Sequence, residues 1–325
     1  MSIFTEKDYK IFERLVSFSQ KEMHTAMSKF LRKYYKDVII TEDYIVAIGD
    51  IPIALVSHMD TVYDTPVSTL YYDQKKKVLW SPDGLGADDR AGIFAIMKII
   101  QCGLRPSVIF TTDEEKGGAG AGALAQINCP IPGLKYMIEL DRQGVDDCVF
   151  YDCFNADFYS YVESFGFQHQ WGSFSDISFL MGTWDICGVN LSIGYLNEHS
   201  YAETLHIEPL YATIEKVKEM LRQKDIPDFE YDELKLGGAA SFWKRNFKSG
   251  ITLCEKCKTM CSEYETYPLK TITGDYILAC GECLGEACWC DCCGEAYERY
   301  APVGESEMLC LSCAEKFQEA VCIQK

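Results

Sequence analysis

The chain of 325 residues has no excess of positive charge: 31 Lys and Arg stand against 49 Asp and Glu, a formal net charge of −18. A general surface for nucleic acid or another polyanion is therefore not expected. Long apolar runs are missing too. Stretches such as Ile51 to Val56 fall far short of the ~20 residues that a membrane helix needs, so no membrane association is expected. The opening MSIFTEKDYK lacks the apolar centre of a secretion signal, and the expected location is the cytoplasm. No internal repeat or low-complexity segment stands out. Cysteine is scarce over most of the chain: of 17 copies, only Cys102, Cys129, Cys148, Cys153 and Cys187 precede residue 254.

What is present is an ordinary globular composition, 48% hydrophobic and 25% charged, long enough for one large domain and a smaller one. The remaining cysteines crowd between Cys254 and Cys322. Without a secretion signal, such a cluster points to metal rather than disulfides. A boundary is therefore expected near Leu236-Gly237-Gly238, separating a catalytic-type domain, 1–236, from a cysteine-rich domain, 237–325. Two helices are expected between residues 5 and 35, from the spacing of Tyr9, Phe12, Leu15, Val16 and then Met27, Phe30, Leu31. Short β-branched runs follow at Ile53–Val56, Val108–Phe110, Tyr136–Ile138 and Val189–Ile193. They alternate with helical patterns over Arg90–Gln101 and Ile207–Leu221. This alternation predicts a three-layer α/β/α domain with a central, mostly parallel mixed sheet.

Metal-binding side chains follow each of those four strands: His58 and Asp60; Asp113, Glu114 and Glu115; Asp141; and His199. Asp88 and Asp89 open the Ala91 helix. Alone, each has a plain explanation, since a histidine after a strand is usually packing or surface and paired aspartates make good helix caps. Five such sites in one order are different. Loops at the carboxyl ends of parallel strands converge on one crevice, and histidines gathered with carboxylates there suit zinc or a similar divalent ion.

The strings Ser57-His58-Met59-Asp60-Thr61-Val62, Gly84-Leu85-Gly86-Ala87-Asp88-Asp89-Arg90-Ala91-Gly92 and Asp113-Glu114-Glu115 resemble the co-catalytic di-zinc peptidase superfamily. Its members include peptidase T, carboxypeptidase G, the acylases and the lid-less zinc aminopeptidases. The resemblance spans roughly residues 50 to 225. It implies that Asp88 bridges two zincs, that His58 and Asp141 complete one, and that Glu115 and His199 complete the other. It makes Glu114 the general base and Asp60 the partner that orients His58. The chemistry asks for the same types. Two dications need a bridging carboxylate, a ligating imidazole needs an acceptor on its other nitrogen, and a non-ligating carboxylate can carry the proton to the leaving amine.

Asp141 and His199 stand too close in sequence to hold the inserted lid of the peptidase T and acylase branches, which places the chain nearer the lid-less aminopeptidases. The oxyanion donor such a lid supplies then falls to Tyr195, Tyr201, His169 or Arg142, and the sequence does not rank them. Asp176, in the segment Gly172 to Ile177, is a candidate to hold a free amino group, with a helix cap as the alternative. His24 and His206 read as structural.

In the tail, Cys254-x2-Cys257 and Cys280-x2-Cys283 form one set, and Cys290-x2-Cys293 and Cys310-x2-Cys313 a second. Two-residue spacing turns two thiolates toward one ion. A tandem zinc-ribbon-like module with about two structural zincs is expected, paired in sequence order or cross-braced. The expected activity is amide hydrolysis, foremost by an aminopeptidase on short peptides, with zinc as cofactor. The alternatives are a deacylase on an N-acyl metabolite, or an adaptor that binds a protein partner through the zinc module.

Overall fold

The structure is a computed structural model. It describes residues 4–170, 172, 174–231, 251–254, 256, 260–262, 266–271, 276–280, 283, 288–289 and 296–297. The chain divides into two compact units, Met1–Glu233 and Leu234–Lys325. The expected boundary at Leu236-Gly237-Gly238 lies outside the described residues.

The first unit opens with α1 (Glu6–Val16) and α2 (Gln20–Tyr34). Each begins with a reciprocal cap, Thr5 with Asp8 and Ser19 with Glu22, so the first orphan amides are satisfied locally. There follow β1 (Val38–Ile40), β2 (Tyr44–Ala47), β3 (Ile51–His58), β4 (Tyr71–Asp73), β5 (Val78–Trp80), α3 (Ala87–Gln101) and β6 (Pro106–Thr111). A 3-10 turn, Glu114–Lys116, leads to α4 (Ala119–Leu124), β7 (Tyr136–Arg142), β8 (Asp147–Val149), α5 (Ala156–Glu163), β9 (Gln168–His169) and α6 (Asp176–Trp184). The unit closes with β10 (Cys187–Ser192), β11 (Tyr195–Leu196), β12 (Thr204–His206) and α7 (Ile207–Leu221).

The main sheet has eight strands in the order β1-β2-β6-β3-β7-β10-β8-β9. Its centre, β6-β3-β7-β10, is parallel throughout, while β2 joins β6 and β8 joins β10 antiparallel. The four runs read from sequence are those central strands. They bury both faces, as continuous apolar runs must. The edge strand β1, its neighbour β2, and the strands of a second sheet of order β11-β12-β5-β4 are too short to leave a readable pattern.

Helix α3 packs on β3, β7, α1 and α7, with Ile93, Phe94, Ile96, Ile99 and Ile100 fully buried. Gly92 permits that approach: a Cβ there would lie 2.4 Å from the Leu140 carbonyl oxygen. Helices α4 and α6 pack on each other, and α6 also meets β3 and β10. Among the described residues, no helix is long and apolar enough to cross a membrane.

The second unit pairs β13 (Ile251–Leu253) with β14 (Met260–Ser262), antiparallel. A four-stranded sheet has the order β16-β15-β18-β17, built from β15 (Thr266–Lys270), β16 (Tyr276–Cys280), β17 (Cys288–Trp289) and β18 (Ala296–Tyr297). Among the described residues its buried cluster is Cys254, Leu269, Ala279 and Cys283.

Candidate functional site

The parallel strands β3, β6 and β7 end on one side of the sheet, and each hands a donor to the same cleft. His58 is the last residue of β3, Asp141 lies near the end of β7, and Glu114 and Glu115 form the turn beyond β6. Asp88 starts α3 behind Gly86, whose φ of +62° is a left-handed conformation that suits glycine. His199 lies in the connection between β11 and β12, also left-handed at φ +57°.

The side chains meet closely. Asp88 Oδ1 lies 3.0 Å from His58 Nε2, and its other oxygen, Oδ2, lies 3.1 Å from His199 Nε2. Asp141 Oδ1 is 3.5 Å from His58 Nε2. Glu115 Oε2 is 3.1 Å from His199 Nε2. Thus His58, Asp88 and Asp141 form one set with ligand atoms within 4.8 Å of one another, and Asp88, Glu115 and His199 form a second that shares Asp88. Glu114 also comes within that range of His58 and Glu115.

Asp60 ties these parts together. Its Oδ1 is 3.2 Å from His58 Nδ1 and accepts the Glu114 amide at 3.1 Å, while its Oδ2 accepts the Glu115 amide at 3.1 Å. One carboxylate therefore orients the imidazole and the acidic turn at once. Arg90, buried, donates to the carbonyls of Met59 at 2.5 Å and Phe18 at 3.1 Å, and so holds the turn that carries Asp60.

The donor set fits divalent cations. So many buried carboxylates stay ionised together only with positive charge among them. Burial would keep His58 neutral, but Asp141, Asp60 and Asp88 push its pKa well above the ordinary value. Hydrogen bonds to Asp88 and Glu115 raise His199 to about 11. Burial, then the nearby Asp88 charge, lifts Asp141 to about 7. Burial lifts Glu114 to about 9, opposed by His58 and reinforced by Asp141, Asp176 and Glu115. The pull that these carboxylates exert on both imidazoles marks a place where dications would serve the same charge. Glu115 Oε1 is buried with no hydrogen-bond partner among the described residues, an acceptor that a cation would satisfy.

Three residues unforeseen in the sequence complete the support. Glu203, buried, accepts the Gly86 amide at 2.7 Å and the Asp88 amide at 3.0 Å, fixing the turn that presents Asp88. Asn190, inside β10, accepts the Asp141 amide at 3.0 Å and donates to the Asp141 carbonyl at 2.8 Å. Ser175 donates to Glu139 at 2.5 Å and to Asp141 Oδ2 at 3.3 Å. Asn190 had a signal, a polar amide within a buried apolar strand, which must find partners. Glu203 had none apart from its fold.

A cavity of about 490 Å³ opens over the cluster, and its walls include Asp88, Glu114, Asp141, Arg142, Tyr195 and His199. Gly172 and Phe174, from the segment singled out in the sequence, also line it. Tyr195 Oη donates to Asp141 Oδ1 at 3.1 Å. Asp176 does not reach this cavity wall: it is fully buried at the start of α6 and accepts the Thr111 hydroxyl. Tyr201 packs on Tyr63, and His169 packs on Phe150 and Tyr159; neither lines the cavity. His24 bonds the Thr41 carbonyl at 2.8 Å, and His206 precedes α7 as its cap residue.

In the second unit, Cys254, Cys280 and Cys283 bring their sulfurs within 4.8 Å of one another. The Cys280 amide donates to the Cys254 sulfur at 3.2 Å. Cys257, Cys290, Cys293, Cys310 and Cys313 lie outside the described residues.

No protein-family model matches the sequence, and no curated protein sequence matches it. Solved structures do resemble it. A tripeptidase from Staphylococcus aureus subsp. aureus Mu50 superposes with a TM-score of 0.54 at 14% identity, covering 68% of this chain and 99% of the other. A TET aminopeptidase from a marine-sediment Thaumarchaeota archaeon superposes with a TM-score of 0.55 at 14% identity, covering 68% of this chain and 98% of the other. The chain shares their α/β fold.

Proposed function

We propose that the first unit is a zinc-dependent metallopeptidase, an aminopeptidase acting on short peptides. The observation that carries the reading is the meeting of His58, Asp88, Glu115, Asp141 and His199 in two sets joined by the opposite oxygens of Asp88. The likeness in fold to a tripeptidase and an aminopeptidase supports it. His58 and Asp141 would hold one zinc, His199 and Glu115 the other, and Asp88 would bridge them. When bound, such ions supply Lewis acidity toward the amide carbonyl and make a water easier to deprotonate.

The chain's own groups do the rest. Asp60 holds His58 in the tautomer that leaves Nε2 available. Glu115 is engaged with His199, while Glu114 stands on the cavity wall. Glu114 therefore takes the proton from the attacking water and returns it to the departing amine. Positive charge in the cleft lowers its raised pKa toward neutrality, where a general base works best.

Glu114→Ala tests the reading. The variant is expected to keep its zinc by elemental analysis and to lose peptide hydrolysis by roughly 10²- to 10⁴-fold, the usual worth of a general base. Undiminished turnover would remove the assignment.

The reading extends to the tail, where Cys254, Cys280 and Cys283, with Cys257 by spacing, would hold a structural zinc. An amide hydrogen bond to a cysteine sulfur is the support that a thiolate ligand receives from its neighbours. A second zinc at Cys290, Cys293, Cys310 and Cys313 rests on spacing alone.

A further inference from the structure

We propose that Tyr63 is the positioning residue of the second cation set: its hydroxyl fastens the loop that carries His199 to the segment that carries Asp60. The proposal rests on the two-cation reading above and says what holds the exposed histidine of that pair in place.

His199 is the least sheltered of the five donors. Its side chain is 53% exposed, whereas those of His58, Asp88, Asp141 and Glu115 are exposed by 10% or less. It stands in the connection between β11 and β12, where two residues other than glycine, Asn197 and His199, take left-handed φ values of +59° and +57°. Such backbone is uncommon outside glycine and is kept by the contacts around it. Bonds inside the loop give it shape. The Ser200 hydroxyl donates to the Asn197 carbonyl at 2.7 Å, the Ala202 amide to Ser200 Oγ at 3.2 Å, and the Glu203 amide to the Ser200 carbonyl at 3.0 Å. These bonds do not join the loop to the strands that present the other donors.

Tyr63 supplies that joint. It lies three residues after Asp60, beyond the end of β3. Its Oη donates to the carbonyl of Ser200, the residue after His199, at 2.7 Å and stands 3.4 Å from Glu203 Oε2. Glu203 in turn accepts the Gly86 and Asp88 amides. The Tyr63 ring packs on Tyr201 with 6.0 Å between centroids. It also lies so close to Gly84 that a Cβ there would stand 2.2 Å from the ring's Cε1. One side chain thus meets the three segments that carry Asp60, Asp88 and His199.

The hydroxyl has one proton, and the shorter contact assigns it to the Ser200 carbonyl. Phenylalanine would keep the ring contacts and lose that bond, so the pull on the His199 loop is separable from packing. The first set, His58 with Asp88 and Asp141, takes no donor from this loop. Its affinity for a cation should therefore not depend on Tyr63.

The test withdraws zinc from the loaded full chain with increasing amounts of a chelator. His199→Ala and Asp141→Ala assign the two release steps of the first unit, and Cys280→Ser marks release from the tail. Tyr63→Phe is expected to weaken the step that His199→Ala removes by about 10- to 100-fold, and to shift the step that Asp141→Ala removes by about threefold or less, since a lost supporting partner acts on the ligand it supports. A tyrosine that merely stabilises the fold would weaken both steps alike, which overturns the proposal. No change in either step also overturns it.

Should the unaltered protein hold no zinc that His199→Ala releases, the two-cation reading fails separately. Hydrogen exchange then decides the role of Tyr63. In Tyr63→Phe the Ala202 and Glu203 amides should exchange about tenfold faster, the worth of one lost hydrogen bond in local opening, while the β3 amides stay as they were. Unchanged exchange at both loop amides, or an equal rise in β3, refutes it.

Discussion

The two units pair a cation-ready cluster with very different cores. In the first, a continuous apolar core runs from Phe12 on α1 through Leu55 and Ile138 in the sheet to Val217 on α7. The site stands at the ends of strands which that core already holds. Its donors are imidazoles and carboxylates, most of them fastened by further partners such as Asp60, Glu203 and Asn190. In the second, the buried cluster among the described residues is Cys254, Leu269, Ala279 and Cys283, so prospective ligands form half of it. Where apolar packing builds the scaffold, a cation is available for chemistry. Where the prospective ligands are half of the buried cluster, a bound cation would supply much of the folding energy.

Chelation should separate the two most sharply. Removing zinc is expected to abolish hydrogen-exchange protection in β15 and β16, because structural zinc binding supplies about 10–16 kcal/mol of apparent folding free energy in small zinc modules. The amides of β3 and β7 should stay protected in the same sample. Equal behaviour of both sets would break the contrast. Cys280→Ser sharpens it, with an expected loss of zinc content from the tail and unchanged content at the His58 cluster.

Within the first unit, the supporting residues should affect cation affinity more than folding. Asp60→Ala is expected to weaken zinc binding by about 10- to 100-fold, the usual effect of removing a ligand's supporting partner. A competition titration would measure it. Glu203→Ala leaves two buried amides unpaired and frees the turn of Asp88. An expected destabilisation of about 1–3 kcal/mol per orphaned group can be read from urea unfolding, together with weaker zinc binding. Loss of stability with intact affinity would make Glu203 a scaffold residue alone.

The smallest effect concerns the scaffold. Lys98 donates to Asp8 Oδ1 at 2.7 Å, linking α1 to α3. Burial pushes the Asp8 pKa up, but the bonds from Lys98 and Thr5 outweigh it and leave the value below the ordinary one. A carboxylate with a depressed folded-state pKa stabilises above its unfolded value, about 3.9 for aspartate, and loses that contribution as pH falls through the folded value. Asp8→Asn should therefore destabilise by about 1–3 kcal/mol at pH 7. The gap from the unaltered protein should close progressively below pH 4. A gap independent of pH would assign the effect to packing.

Much of the frame was legible because the central strands are buried on both faces and announce themselves as apolar runs. α7 was read at its observed bounds, Ile207–Leu221, since its apolar face repeats at helical spacing. The second sheet escaped notice because strands of two or three residues show no period. Asp176 stood in the sequence as a candidate to hold a free amino group, with a helix cap as the alternative; in the structure it is the first residue of α6, behind the cap residue Ser175. Its burial comes from α6 packing against β3 and β10, which no local pattern records.

By itself the sequence determined which donor types follow which strands, and therefore their order around the cleft, because strand alternation and chain direction dictate which loops share an edge. It also determined that twelve of the seventeen cysteines fall after residue 253. Only the tertiary structure decided that the two oxygens of Asp88 face different histidines, that Asp60 serves both His58 and the acidic turn, and that Arg142 shares a cavity with Glu114. Those relations join residues far apart in the chain, and a hydrogen bond or an ion pair depends on separations of a few ångströms that only packing sets.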